Sequence, residues 1–492
     1  MSALVGRLGV DPSVAPRGAP QTSDVGAERR RSNPTFVASI VVVALAVFLR
    51  TWQLGRDRLG FDEAFTAMAG RRSLGGLFAY LRVRDSHPPL DYLLRSPLSR
   101  AGLSEVWMRL PSVLCSIAAV ALVAWWLRHR GVVGLLATAF MAFSAFEVVH
   151  GREVRMYADL QLLGVAAAMV CTAWLSRPRR RHVLAIGALV AIGLLLHTSM
   201  LIFGAGLLMV PGVRRDADAW RWRGALLAGF AVWALVWGPA FLRQAGGGHS
   251  DWIPRTTVSR AVDAVGRLLI DDPSWHVAIV VGVVVGVVVM WRVDPHLARV
   301  VTCCSFVPLV LAALAGLVAP VLLDRTLTLM AWGPMVSLAF LARAAPRRKV
   351  VRSLVYLCLG VLALVMAASA WQSVTTRTQP DRVLRHLEAA VRPGDVVVLR
   401  PGGRLHLLEW TLGVRHGRTY RVDQLTGVAE TAAFQLDGQQ STNTDARRVW
   451  FLDWKAPHLA PVEGPHCGPD WPVDDARLSC LLASPSAARA VP

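Results

Sequence analysis

The chain has 492 residues, of which 54% are hydrophobic and only 17% charged, with 18 Trp; a soluble protein of that length would carry more charge, so the class is polytopic membrane protein. The formal net charge of +20 does not point to nucleic acid, because the arginines cluster between apolar runs. There they suit membrane topology and contact with anionic lipid headgroups. Apart from Lys349 and Lys455 the basic residues are arginines, a bias that reads as genomic composition rather than chemistry.

Residues 1–33 are polar, contain Pro, Gly and Ser, and end in Arg29-Arg30-Arg31, the composition of a disordered cytoplasmic tail. The uncharged run 34–49 follows and has spanning length. About thirty residues precede it and no small-residue cleavage site follows, so it reads as an uncleaved first helix rather than a signal peptide. Further apolar runs lie at about 106–127, 131–149, 157–175, 183–197, 199–212, 224–242, 275–291, 299–320, 326–343 and 353–371. Together they predict about eleven transmembrane helices in a domain spanning 34–371.

The charges between these runs alternate. Arg128-His129-Arg130 and the arginine-rich stretches 177–182, 214–223, 292–299 and 343–352 share one side with the N-terminal arginines. By the positive-inside rule that side is cytoplasmic. The loops 50–105, 150–156, 198, 243–274 and 321–325 then lie outside, in a multi-pass protein of the plasma membrane. So does the segment 372–492, which reads as a small extracytoplasmic α/β domain. In it, 395–399 and 448–452 have the pattern of buried strands, 384–391 is helical, and 434–447 is polar enough for a loop. Of the seven cysteines, Cys467 and Cys480 alone fall in that exported segment, and a disulfide between them is expected. No Cys or His spacing matches a metal-binding pattern.

The unusual residues gather in the outer loops. Asp62 and Glu63 are adjacent carboxylates just after the first helix; mutual repulsion and desolvation should raise one pKa, giving a general base for an acceptor hydroxyl. The plainer alternative is a helix start, where both would favour the dipole. The stretch 73–81 is amphipathic enough to lie in the interface plane. Next comes Asp85-Ser86-His87-Pro88-Pro89, where the double proline presets a rigid turn holding Asp85 and His87, or merely starts the following helix. In the 147–159 stretch, Arg152 and Arg155 stand one helical turn apart and could share a face aimed at one phosphate. Alternatively Glu147 or Glu153 neutralises them in a salt-bridged corner. His197, between two short runs, is either an intramembrane polar site or a hydrogen-bonded packing residue.

Phe61-Asp62-Glu63, then His87-Pro88-Pro89-Leu90 with Tyr92, then Glu153-Val154-Arg155-Met156-Tyr157 resemble, in order and spacing, the GT-C superfamily of membrane glycosyltransferases. The branch most similar contains protein O-mannosyltransferases and the aminoarabinose transferase of lipid A. The resemblance covers roughly residues 35–345. It implies a GT-C-like helical core, a donor sugar carried on a polyprenyl phosphate, and Asp62 as the first-loop base, with Glu63 beside it. The family's late Arg-Tyr pattern is matched at Arg325 but without the tyrosine.

Resemblance and chemistry together predict an inverting transfer to an extracytoplasmic acceptor (an envelope glycan, a lipid or a protein hydroxyl). Arg152, Arg155 and Arg325 would neutralise the leaving phosphate, and Asp85, His87, Tyr157 and His197 would contact substrate. The residues single out no cofactor. Asp62, Glu63 and His87 could coordinate the divalent metal that some relatives use. The alternative from another class is a transporter or flippase of a lipid-linked saccharide. It would place ionisable residues within the helices and show a hydropathy repeat, and none is detectable here.

Overall fold

A computed structural model describes residues 34–85, 87–212, 216–245, 253–319, 321–344, 348–376, 379–392, 395–400, 405–416, 420–424, 432–436, 448–454, 467, 471–473 and 476–482. The tail 1–33, read above as disordered, lies outside the described residues.

Length and apolarity decide which segments can cross a bilayer. A hydrocarbon core of about 30 Å needs about 20 helical residues at 1.5 Å each. Seven helices among the described residues are long and apolar enough: Pro34–Thr51, Glu105–Trp126, Tyr157–Ser176, Ala217–Gln244, Pro273–Val293, Pro295–Val318 and Lys349–Thr375. The other apolar runs form shorter or broken helices. Run 131–149 is split into Val132–Phe143 and Ala145–His150 at Ser144, whose hydroxyl accepts from the Glu147 N–H and donates to Leu268 O. Runs 183–197 and 199–212 form Arg180–Leu196 and Met200–Met209, both short, and run 326–343 is broken into Trp332–Ala339 and Leu341–Ala344. Apolarity alone does not separate a complete span from a short helix packed among longer ones, which is where the count of eleven and the seven long helices part.

Small residues set the helix contacts, as packing in lipid requires. A Cβ at Gly164 would meet Leu329 O at 1.9 Å, and one at Gly286 would meet Ser337 O at 2.0 Å, so both must be glycine for the backbones to approach. The two ends of the bundle differ in character. At one end, loops from five parts of the chain converge around Asp62. At the other, Arg130 and Asp294, from two of the arginine-rich connections, form an ion pair at 2.6 Å. Reporter fusions are expected to place residue 180 in the cytoplasm and residue 420 outside; the same side for both would overturn the orientation.

The connection between the first two long helices carries three short helices. Phe61–Gly70 starts with half of a capping box: the Glu63 side chain accepts from the Gly60 N–H at 2.7 Å, and the N-cap glycine has no side chain to return the bond. Leu74–Arg84 is capped by Ser73, and Leu90–Arg100 starts directly after the Pro88-Pro89 pair.

The C-terminal segment forms a sheet of strands β1 (Val396–Arg400), β2 (Tyr420–Gln424), β3 (Ala432–Leu436), β4 (Arg448–Trp454), β5 (Trp471–Val473) and β6 (Ala476–Leu482), in the order β2-β3-β1-β4-β6-β5. β1 runs parallel to β4, with Val397 opposite Trp450; the other pairs are antiparallel. The stretch 434–447, expected to be loop, begins inside β3. Ala432-Ala433-Phe434-Gln435-Leu436 is too short an apolar run to stand out beside the polar residues that follow it, so pairing with β1 and β2 decides this strand. Cys467 and Cys480 are disulfide-bonded.

This sheet does not close its own core. Leu384, Leu387, Leu407, Leu408 and Trp410 bury with Leu59, Ala64, Ala67 and Val154 of the connecting loops and Met108 at the start of the Glu105–Trp126 helix. Arg58 pairs with Glu388 at 2.6 Å and Arg415 with Glu105 at 3.1 Å across the same contact. The helix that carries Asp62 is therefore packed between the bundle and the C-terminal unit.

Candidate active site

Asp62 lies in the first turn of the Phe61–Gly70 helix, and its carboxylate is paired with Arg325, from the short turn Asp324–Leu327. From that pair the contacts run in a closed circuit. The Arg325 guanidinium stands 5.9 Å from the centre of the Tyr157 ring. Tyr157 faces His197 at 6.5 Å, and His197 faces His87 at 5.0 Å between ring centres. His87 Nδ1 is 2.7 Å from Asp85 Oδ1, and the other Asp85 oxygen accepts from the Tyr92 hydroxyl. Arg155 donates to Tyr92 Oη and to Thr66 Oγ1, each at 3.1 Å, and Thr66 donates back to the Asp62 carbonyl at 2.9 Å. Seven residues singled out from the sequence — Asp62, Asp85, His87, Arg155, Tyr157, His197 and Arg325 — thus come together from separate loops.

Charge controls the acids of this circuit. Burial pushes the Asp62 carboxyl up, but Arg155, Arg325 and His87 together outweigh it and hold its pKa below the ordinary value. Asp85 behaves alike: burial raises it, while His87, Arg155 and the Tyr92 hydroxyl carry it well below the usual carboxylate range. Arg155 is buried, which disfavours its charge, yet Tyr92, Asp62, Tyr157 and Asp85 hold it firmly protonated. No carboxylate among the described residues bonds directly to its guanidinium, and its Nε has no partner.

Two expected members of the site are elsewhere. Glu63 turns away from Asp62 and accepts from Arg109 Nε and Nη2, both at 2.8 Å, from the Val154 N–H at 3.0 Å and from the Gly60 N–H. Its carboxyl is raised by burial and lowered more by Arg109, so it too lies below its ordinary value. The expected upward shift from carboxylate repulsion is therefore corrected. Neighbours on a helix point about 100° apart, and each acid meets its own arginine. Glu63 holds loops together instead of lining the cleft. Arg152 likewise parts from Arg155: it donates to the carbonyls of Leu49 and Trp52, each at 2.9 Å. Residues 151–156 form turns rather than a helix, so the two arginines have no common face. The salt-bridged corner also fails for Arg155, because Glu153 pairs with His150 and Glu147 with Gln161.

The set Asp62, Glu63 and His87 does not assemble as metal ligands, since Glu63 is committed to Arg109. Among the described residues no group of three His, Cys, Asp or Glu is placed to hold a metal ion.

Several supporting residues escaped the sequence reading. Gln244, at the end of a membrane helix, donates to the carbonyls of Leu81 at 3.0 Å and Asp85 at 2.6 Å, fixing the backbone before His87. Arg95, paired with Asp91 at 2.7 Å and Asp159 at 3.1 Å, donates to the Arg155 carbonyl at 2.9 Å. Arg109 carried a signal, being a charge inside an apolar run, which is expensive unless paired. Tyr92 stood in the His-Pro-Pro motif, but nothing in the spacing showed that it would link Asp85 to Arg155.

The chain matches no family model and no curated protein. Among solved structures it is similar to ArnT from Cupriavidus metallidurans. Against ArnT bound to undecaprenyl phosphate the TM-score is 0.53 at 15% identity, covering 90% of this chain and 98% of that one. Against ArnT in the apo state it is 0.55 at 14% identity, covering 91% and 98%. The fold is GT-C. ArnT is the aminoarabinose transferase of lipid A, in the branch that the three motifs resemble. With that fold and seven spanning-length helices, the chain is a multi-pass membrane protein.

Proposed function

We propose that the chain is an inverting membrane glycosyltransferase that moves a sugar from a polyprenyl-phosphate donor to an extracytoplasmic acceptor. The observation that carries this reading is one partly open carboxylate, Asp62, flanked by two guanidiniums of unequal exposure. That donor set suits a reaction in which an acceptor oxygen attacks the anomeric carbon. The bond from that carbon to the phosphate oxygen breaks, and the acceptor's proton passes to the Asp62 carboxylate. The departing phosphate needs positive charge more than a proton, which Arg155 and Arg325 supply. Undecaprenyl phosphate bound to ArnT, a protein of the same fold, supports a polyprenyl carrier.

The circuit lies at the end of the bundle, where a lipid-linked donor would present its sugar phosphate at the outer leaflet while its tail stays in the bilayer. In the flippase alternative the substrate site would sit at the midplane. Arg50, in the last turn of the first helix, is tied up in packing: it donates to Ser116 Oγ at 2.7 Å and to the Ala142 carbonyl at 3.0 Å. The direct test is to incubate purified protein with undecaprenyl phosphate carrying a labelled sugar and an envelope extract as acceptor. Labelled acceptor with free undecaprenyl phosphate is expected. Intact donor crossing a liposome membrane, with no carrier released, would establish the flippase instead.

A further inference from the structure

The two arginines facing Asp62 are held very differently. Arg155 is 3% exposed and is fixed by Thr66, Tyr92 and, through its carbonyl, by Arg95. Arg325 is at the rim: its side chain is 28% exposed, its partner Asp62 31%. It stands on a four-residue turn whose first residue, Asp324, is bound to Arg267 at 3.0 Å rather than to the site. In this structure the carboxylate assigned as base and the outer phosphate cation occupy each other.

We propose that the Asp62–Arg325 ion pair is a resting lock, opened by the phosphate group of the polyprenyl carrier, which takes Arg325 from Asp62. The inference rests on the glycosyltransferase reading and adds an order of events to it. A guanidinium cannot give its best two-pronged geometry to a carboxylate and a phosphate on the same edge at once, so the two anions compete. While the pair is closed, Asp62 is a poor proton acceptor, and an acceptor hydroxyl or water reaching the cleft without donor meets no effective base. Once phosphate holds Arg325, Asp62 loses its nearest cation and gains affinity for a proton at the moment a sugar is in place. Arg155, which does not move between partners in this scheme, supplies the constant part of the phosphate site.

Competition makes a prediction opposite to that for a simple binding residue: removing the Asp62 charge should tighten carrier binding. The probe is undecaprenyl phosphate itself, titrated into full-length protein in nanodiscs. We expect Asp62→Asn to bind it about fivefold more tightly than the parent, the scale of one half-exposed ion pair. In an Arg325→Gln background the same substitution should change affinity by less than about twofold, because the contested arginine is gone. Should the asparagine variant fold poorly, Asp62→Ser completes the same cycle. An equal gain in both backgrounds would mean that Asp62 merely repels phosphate through space, and no gain would mean no competition; either overturns the lock while leaving the transferase reading standing. Failure of the parent protein to bind undecaprenyl phosphate at all would overturn the polyprenyl donor, and the lock with it.

Discussion

Asp62→Asn is expected to cut sugar transfer by about 10²–10⁴-fold, the usual contribution of general-base catalysis, while the protein remains folded and binds its carrier. The amide keeps the size of the carboxylate and a hydrogen-bonding oxygen, but it cannot take the acceptor's proton. Steady-state transfer by purified protein checks this: the loss should fall on kcat, since the acceptor is still bound and only its activation is missing. Transfer at the parental rate would remove Asp62 from the mechanism, leaving Asp85 as the next acid of the circuit. Glu63→Gln should behave differently. Glu63 accepts from Arg109, Val154 and Gly60, so its neutralisation leaves a buried arginine underpaired, a loss of about 3–5 kcal/mol for a broken buried pair. It should appear as a lower melting temperature more than as a slower catalytic step.

Arg155→Ala should weaken carrier binding by about 10²–10³-fold, in line with the 2–5 kcal/mol typical of a buried charged partner. The arginine reaches Thr66 and Tyr92 together and still has an unpartnered Nε. Among the described residues that leaves its Nε as an unspent donor for a phosphate oxygen. Arg155→Lys should restore little of the affinity. A single ammonium at the end of a flexible stem does not reproduce a planar fork holding two hydroxyls and an anion. Titration with undecaprenyl phosphate measures both variants. Parental affinity in a folded alanine variant would reduce Arg155 to a brace for Tyr92.

The separate outer stretches were legible because each carries ionisable residues beside the membrane, where they are expensive. Arg155 and Asp62 stand out for that reason, as do Asp85 and His87 beside two prolines. Their pairing was not legible. Arg152 and Arg155 looked like one phosphate face because a helix was assumed between them, and the turns at 151–156 send Arg152 to the end of the first helix instead. Asp62 and Glu63 looked like one carboxylate pair because they adjoin in sequence, and the helix separates them by about a quarter turn. In both cases local spacing was read as spatial proximity, and the backbone conformation decided otherwise.

What the sequence by itself determined is the class of the protein, the alternation of its arginine-rich connections and which loops gather the ionisable residues. These follow from hydrophobic length and charge distribution, which are properties of consecutive residues. Only the tertiary structure decided that Asp62 faces Arg325 across 263 positions of chain. It alone put Gln244 behind the Asp85 backbone, and made the C-terminal unit share its core with the helix of Asp62. Those contacts depend on where helices of unequal length end relative to one another, and that is set by the packing of glycine-lined faces, with no counterpart in any single stretch of the sequence.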